Sequence, residues 1–157
     1  MSRIRNLCWW LVFAMTAIVI QALFPGLDVF VAGLLILLQE RDYKNMLWLM
    51  PLFILLQEGM GTRLFGGSVL LYMTTAVFFR LGRWLFEVEN FFFVVLLSAA
   101  LIAPYYALDW LMAPLQNLTF STGSTLDKCL FQALFLPFAW RVFTLTRRWT
   151  KSDESAA

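Results

Sequence analysis

The chain has 157 residues, of which 61% are hydrophobic, 17% aromatic and 14% charged. Soluble domains carry roughly 25% charged residues, so this composition predicts one membrane-embedded domain instead. The net charge of +2 is too small to indicate a nucleic-acid partner. The chain has no histidine, the commonest metal ligand and general base, and Cys8 and Cys129 lack the spacing of metal ligands. We therefore predict no metal site and no cofactor.

The first apolar segment runs from Leu7 to Phe24, follows Arg3 and Arg5, and ends at Pro25-Gly26. At about 1.5 Å per residue, a helix of this length nearly crosses a hydrocarbon core of ~30 Å. A cleavable signal peptide is the alternative, but the apolar run is long for one and no convincing cleavage site follows it. We favour a retained transmembrane helix.

The second and third segments are shorter, from Leu27 to Gln39 and from Asn45 to Gln57. Each gives only ~20 Å of helix, which does not span a bilayer comfortably alone. Two arrangements remain open. The segments form either two short helices shielded by their neighbours or the two arms of a re-entrant hairpin around residues 40–44.

Three longer segments follow, and prolines are expected to kink the fifth at Pro104 and the sixth at Pro137. The prediction is an all-α polytopic membrane protein with six transmembrane helices, the second and third short. It forms one domain over residues 1–150, and the small polar residues 151–157 form a disordered tail. The three segments run from Phe65 to Leu81, Phe91 to Ala113 and Leu126 to Thr146, with a polar loop from Pro114 to Thr125.

Lysine and arginine are distributed unevenly across this six-helix arrangement. Ten lie on the side of the two termini, whereas only Arg63 and Lys128 lie on the other side. By the positive-inside rule both termini are cytoplasmic. If only one short segment crossed, Arg80 and Arg83 would change sides and the bias would shrink. Both short segments therefore cross, or both turn back together.

Eleven residues from Gln57 to Gly67 (QEGMGTRLFGG) interrupt the apolar chain with an acid, an arginine and four glycines. A carboxylate close to hydrocarbon is unfavourable unless it is paired, hydrated or buried in protein. Glu58 and Arg63 therefore form either an ion pair in a partly dry site or an interfacial loop pair that contributes little. The glycines allow close approach of backbone or a partner, which makes them candidates too: Gly59, Gly61, Gly66 and Gly67.

Three further positions are candidates for a pocket or a partner contact. Asp109 lies near the outer end of the fifth segment, where it can approach Arg63 or Lys128. In the last segment, Pro137 frees a backbone carbonyl, and Arg141 follows one turn later with a side chain long enough to reach the interface. At its basic end, Arg147 and the neighbouring Arg148 and Lys151 are expected to lie against anionic lipid.

A stripe of small residues marks the fifth segment as a packing surface. Ala99, Ala103 and Ala107 recur at every fourth position, so they share one helix face. Small side chains allow another transmembrane helix to approach closely. We predict that this stripe packs against a second helix.

Catalytic motifs are not evident in the sequence. The chain lacks G-x-S-x-G, a P-loop and paired carboxylates at helical spacing facing the membrane interior. We therefore expect a protein that is not an enzyme.

The layout resembles the MreD family of rod shape-determining proteins. The shared features are six apolar segments in about 160 residues, short second and third helices, and an acid followed eight positions later by a glycine, here Glu58 and Gly66. The C-terminal Pro137, Trp140 and the basic Arg147-Arg148 are also similar. The sequence departs from the family pattern in having Glu where Asp is usual, Thr62 where a glycine is expected, and additional glycines at positions 59 and 61.

This resemblance implies a non-catalytic scaffold in the bacterial inner membrane, bound to membrane lipid. It implies as partners a bitopic cell-shape protein, an actin-like filament, and the membrane subunits that synthesise lateral cell wall. The same family is similar in fold to the substrate-binding subunits of energy-coupling factor vitamin transporters. A small-molecule binding subunit with an outward pocket near Glu58, Arg63 and Asp109 is therefore the alternative.

Overall fold

The computed structural model describes residues 3–41, 43–60, 66–88, 90–112, 114 and 122–152. Within these ranges the regular secondary structure is α-helical. The helices, in chain order, are α1 (Arg3–Leu23), α2 (Phe30–Glu40), α3 (Tyr43–Gly59), α4 (Gly67–Leu85), α5 (Phe91–Ala100), α6 (Ile102–Met112) and α7 (Thr122–Ser152). The predicted all-α class is confirmed.

Helices α5 and α6 are two parts of one interrupted helix. Pro104 has no N–H to donate to the carbonyl of Ala100, and α5 ends at that residue. The N–H of Leu101 still donates to the carbonyl of Leu97 at 3.0 Å, and the N–H of Tyr105 donates to the carbonyl of Leu101 at 3.0 Å, so hydrogen bonds link the two parts across the interruption. The helix is interrupted at Leu101, three residues before the proline that predicts a kink. With α5 and α6 counted as one rod, the described helices form six rods, as the six apolar segments predict.

Side-chain hydrogen bonds define the two ends of the bundle. At one end, Arg147 near the end of α7 meets Glu40 at the end of α2, beside Trp9 at the start of α1. We call this the basic end, because Arg5, Arg41, Lys44, Arg80, Arg83 and Arg148 lie in the adjoining turns and helix ends. At the other, distal end, Gln21 of α1 meets Gln57 of α3.

Helix α2 lies at the centre of the bundle. All eight residues from Phe30 to Leu37 are buried, and the helix contacts α1, α3, α4 and α7. Leucine, isoleucine, valine and phenylalanine cover every side of it, as expected for a helix that is enclosed by protein on all sides. Enclosure of this kind agrees with the prediction of a short helix shielded by neighbours.

Close packing of aromatic rings joins α1, α2 and α3. The rings of Phe13, Phe30 and Phe53 lie 5.0–6.4 Å apart, within the range of favourable ring contacts. Gly33 provides the space for this cluster, because a Cβ atom there would lie 2.6 Å from Cε1 of Phe13. The glycine in the middle of α2 is therefore a packing requirement.

Several helices are longer than the apolar segments that predict them. The third helix is not short, since α3 has 17 residues from Tyr43 to Gly59 and continues through Pro51. Helix α7 begins at Thr122, inside the predicted polar loop, and runs to Ser152, two residues into the predicted tail. The reason is physical: a helix extends through polar residues at its ends, whereas an apolar run marks only its hydrophobic part.

The outer surface of the bundle is apolar. Large hydrophobic side chains are exposed on every helix except α2; examples are Leu11, Met15, Met73, Val77, Phe92, Leu134 and Phe138. An apolar surface of this extent is unsuited to water and fits lipid. Three helical stretches of the described chain are long and apolar enough to cross a membrane, by length and composition: Ile4–Leu23, Phe91–Leu111 and Gly123–Thr150.

Replacing Gly33 with alanine is expected to destabilise the protein by about 1–3 kcal/mol, because the new methyl group must displace the ring of Phe13. Unfolding of the purified protein in detergent, followed by circular dichroism, measures this change. Gly123→Ala is the matched control, since no atom lies within 4 Å of its Cβ position. Equal stability of the two variants would show that the aromatic cluster adapts without cost.

Candidate functional site

The glycine-rich turn between α3 and α4 is closed by its acid. Oε1 of Glu58 accepts a hydrogen bond from the backbone N–H of Gly66 at 2.8 Å. Gly66 has a φ of +81°, in the left-handed region that favours glycine, and directly precedes α4. Thus the carboxylate joins the end of α3 to the start of α4, and the glycine supplies the backbone conformation that the joint needs.

The other residues of the turn differ in their surroundings. Gly67, the first residue of α4, is buried. Gly59, the last residue of α3, has no atom within 4 Å of its Cβ position. Gly61 and Arg63 lie outside the described residues, so the predicted ion pair between Glu58 and Arg63 remains a prediction.

Buried polar side chains link the helices at the distal end. Nε2 of Gln21 donates to Oε1 of Gln57 at 2.9 Å, which joins α1 to α3. Gln132 of α7 binds the backbone of Asp28: its Oε1 accepts from the Asp28 N–H at 2.8 Å, and its Nε2 donates to the Asp28 carbonyl at 3.0 Å. The same Nε2 lies 3.3 Å from the hydroxyl of Tyr105. These contacts hold α1, α3, α6, α7 and the chain entering α2 together.

Asp109 lies on α6, one turn after Tyr105, and is half-buried. Its position near the distal end of the helix agrees with the expectation from the sequence.

A second polar cluster closes the basic end. Arg147 donates from Nε and Nη2 to the two carboxylate oxygens of Glu40, at 3.0 and 2.9 Å. The guanidinium carbon lies 4.6 Å from the ring centroid of Trp9 and 5.0 Å from that of Trp10. Two-pronged pairing and ring contacts of this kind suit arginine better than lysine. The side chain of Arg147 is only 3% exposed, so the ion pair is sheltered from water.

This finding corrects the expectation that Arg147 lies against lipid. Its neighbour Arg148 is exposed, as expected, whereas Arg147 points into the bundle. An apolar segment followed by adjacent arginines gives no sign of this difference. The signal available in the sequence is Glu40, an acid directly at the end of a short apolar helix, which needs a partner.

Glutamine and tryptophan extend the basic cluster toward α5. The indole N–H of Trp140 donates to Oε1 of Gln39 at 2.8 Å, and the amide of Gln39 donates to the backbone carbonyl of Val88. Pro137 is buried one turn before Trp140, within a helix that continues past it. Arg141, the next residue after Trp140, is exposed.

The alanine stripe lies on the outside of the bundle. Ala99, Ala103 and Ala107 are all exposed, although α5 and α6 pack against α4 and α7 on their inner side. Larger exposed residues lie on the same rod toward each end, Phe92 near the start of α5 and Trp110 near the end of α6. The stripe therefore contacts no second helix within the described chain.

The hydrogen bonds and the ion pair at the two ends of the bundle join helices to one another. Among the described residues, no group of three His, Cys, Asp or Glu side chains is placed to hold a metal ion. Of the two cysteines, Cys8 is exposed and Cys129 is buried, and they form no disulfide with each other. Comparison of the chain with family models, curated proteins and solved structures finds no match.

Removing the Arg147 side chain with Arg147→Met is expected to destabilise the protein by roughly 3 kcal/mol, because Glu40 then keeps a sheltered charge without its arginine. Unfolding in detergent measures the loss. Arg148→Met, one residue further along α7, removes an exposed arginine and is expected to change stability little. A loss in Arg148→Met as large as in Arg147→Met would contradict the importance of the pair.

At the glycine-rich turn, Gly66→Ala is expected to destabilise the protein by about 1–2 kcal/mol, because a side chain is strained at positive φ. Gly59→Ala, in open space at the end of α3, is the control and is expected to be neutral or slightly stabilising. The same unfolding measurement compares the two. If both substitutions are neutral, the turn tolerates another backbone conformation.

Proposed function

We propose that this protein is a non-catalytic scaffold of the bacterial inner membrane that acts in cell elongation, in the manner of the MreD family it resembles. In this role it holds membrane partners of lateral cell-wall synthesis together and has no active site of its own. The proposal assigns six membrane crossings, with both termini and the basic end in the cytoplasm.

Two observations support six crossings over a re-entrant hairpin. Helix α2 extends from the distal cluster at Asp28 to the basic cluster at Glu40, so it connects both ends of the bundle. Its apolar surface needs no lipid contact, because neighbouring helices enclose it. A helix of only 11 residues is therefore long enough here, since protein and not lipid surrounds its backbone.

The observation that carries the scaffold role is the exposed alanine stripe. Ala99, Ala103 and Ala107 leave a shallow surface between bulkier residues on a helix that faces outward. In lipid, helices associate through close van der Waals packing, and small residues permit it. The stripe fits a transmembrane helix of a partner, such as the bitopic cell-shape protein or a cell-wall synthase subunit.

The bond between Glu58 and Gly66 fits the same proposal. The acid and the glycine eight residues later are the positions on which the family resemblance rests, and here they contact each other directly. This hydrogen bond ties the start of α4 to the end of α3. Its role is then to shape a surface, without any part in chemistry.

One observation favours the alternative of a small-molecule binding subunit. Polar residues are buried at the distal end, and the hydroxyl of Ser68 and Oε1 of Gln21 have no hydrogen-bond partner among the described residues. A ligand entering from outside can satisfy such groups. Against this, the glutamines of the cluster already bind other helices.

Deletion of the gene separates the two functions. Under the scaffold proposal, rod-shaped cells lacking the protein become round or wide. Unchanged cell shape together with a loss of vitamin uptake would replace the scaffold with the transporter subunit.

When the Ala103→Leu variant is expressed in cells that lack the gene, it is expected to restore rod shape poorly or not at all. The amount of inserted protein should stay unchanged, because Ala103 is exposed and a larger side chain there blocks only a partner. Cell width, measured by microscopy with immunoblotting of membranes, tests this. Ala22→Leu enlarges an exposed alanine on α1 and is the matched control, expected to rescue normally. Full rescue by both variants would exclude the stripe as a partner surface.

A further inference from the structure

Helix α7 is longer than one membrane crossing requires. It has 31 residues, which gives a length of about 46 Å, whereas α4 has 19 residues and is about 28 Å long. The hydrocarbon core of a bilayer is ~30 Å thick. Helix α4 therefore has the length of one crossing, and α7 exceeds it by roughly 16 Å.

Hydrogen bonds show that the excess length of α7 lies at the basic end. The indole N–H of Trp140 donates to Gln39, and the amide of Gln39 donates to the carbonyl of Val88. Gln39 is the second-last residue of α2 and Val88 follows the end of α4, so both helices end near the level of Trp140. The part of α7 from Thr122 to Trp140 is about 27 Å long, close to the length of α4. The remaining residues, 141–152, extend roughly 18 Å further, and we call them the α7 projection.

The α7 projection reaches past the lipid headgroups. The polar headgroup layer adds only about 5–8 Å to each side of the hydrocarbon core. Trp149 lies about 14 Å beyond Trp140 along the helix, so it is in the cytoplasm in the proposed orientation. Arg147 holds the projection to the bundle, because its side chain turns back to Glu40, with Nη2 2.9 Å from Oε2. The projection is therefore a fixed helical surface that faces water.

The outer face of the α7 projection carries an apolar stripe beside two arginines. Val142, Leu145 and Trp149 are exposed and follow one another at intervals of three and four residues, the spacing of a helix-pairing face. Trp149 is 72% exposed, and an apolar stripe in water is typical of an interaction site. Arg141 and Arg148, each directly before a residue of the stripe, are exposed too. The sequence from 141 to 152 contains no acid, so this face is basic.

We propose that the α7 projection binds an acidic amphipathic helix of a cytoplasmic protein. Such a helix packs its apolar residues on the stripe and places Asp or Glu opposite Arg141 and Arg148, in the way that flanking charges select partners in coiled coils. A second copy of this chain fits less well, because pairing through the same face would bring four arginines to one seam. The proposal rests on the proposed orientation of the chain and not on the alanine stripe.

A synthetic helical peptide of about three heptads, with leucine at the a and d positions and glutamate at e and g, is the probe. It is titrated onto the full-length protein in nanodiscs of zwitterionic phosphatidylcholine, and fluorescence anisotropy gives the affinity. We expect one peptide per chain. Arg141→Glu combined with Arg148→Glu is expected to weaken binding at least tenfold and to favour a peptide with lysine in place of glutamate. Lys44→Glu combined with Arg80→Glu is the matched control: it reverses two exposed charges at the basic end outside the projection, and should change the affinity less than about twofold.

A second pair of variants tests the apolar stripe. Trp149→Ser is expected to weaken peptide binding about tenfold, because aromatic side chains contribute strongly to helix docking. Trp84→Ser removes an equally exposed tryptophan at the end of α4 and should leave the affinity unchanged. Both tryptophans are exposed, so neither substitution removes part of the core.

Three results would overturn the proposal: no peptide binding, equal effects of the two charge-reversal variants, or equal affinity for the glutamate and lysine peptides. Loss of peptide binding in nanodiscs that contain phosphatidylglycerol would assign the surface to anionic lipid headgroups instead. A dimer of the protein that Trp149→Ser dissociates would assign it to a second copy. Because the readout is peptide affinity and not cell shape, its failure is distinguishable from failure of the scaffold proposal.

Discussion

Helix α2 is surrounded by protein, and its two ends bring polar groups into the bundle. Asp28 lies just before its first turn, with a backbone N–H and carbonyl that need partners outside the helix, and Glu40 is its last residue, with a charge that needs a partner in an apolar setting. Gln132 binds the backbone at the first position and Arg147 the carboxylate at the second, both from α7. The central helix and the last helix are thus joined at both ends, and the remaining rods pack around this pair.

The polar residues at the two ends act differently from the apolar core between them. The core is filled by rings and branched chains in van der Waals contact, which in lipid gives helices little preference for one partner over another. Hydrogen bonds between specific side chains supply that preference. Gln21 of α1 bonds Gln57 of α3, and Trp140 of α7 bonds Gln39 of α2. Each bond forms only when these two helices are neighbours and are aligned along their axes in one way. In this way a chain that is 61% hydrophobic specifies a single arrangement of its helices.

Much of this arrangement follows from the sequence, and the exceptions have physical causes. Apolar runs locate all six rods, and Pro104 predicts the break in the fifth, because both depend on local properties of the chain. The lengths of α3 and α7 are underestimated because hydrophobicity ends before the helix does. The inward position of Arg147 and the partners of Gln21 and Gln132 are not predictable, since they depend on which helices become neighbours. The contact between Glu58 and Gly66 lies between these cases: the spacing identifies the residues, but only the fold shows that they touch.

The ion pair at the basic end also has a consequence for the order of assembly. Glu40 and Arg147 are 107 residues apart, so the acid is synthesised long before its partner. Until α7 is made, α2 lacks the neighbour that covers one of its sides and the arginine that neutralises its end. Formation of the pair is therefore a late step, and it requires the last helix to be inserted in the correct direction. Until the pair forms, the carboxylate at the end of α2 keeps its charge without the arginine that neutralises it in the finished fold.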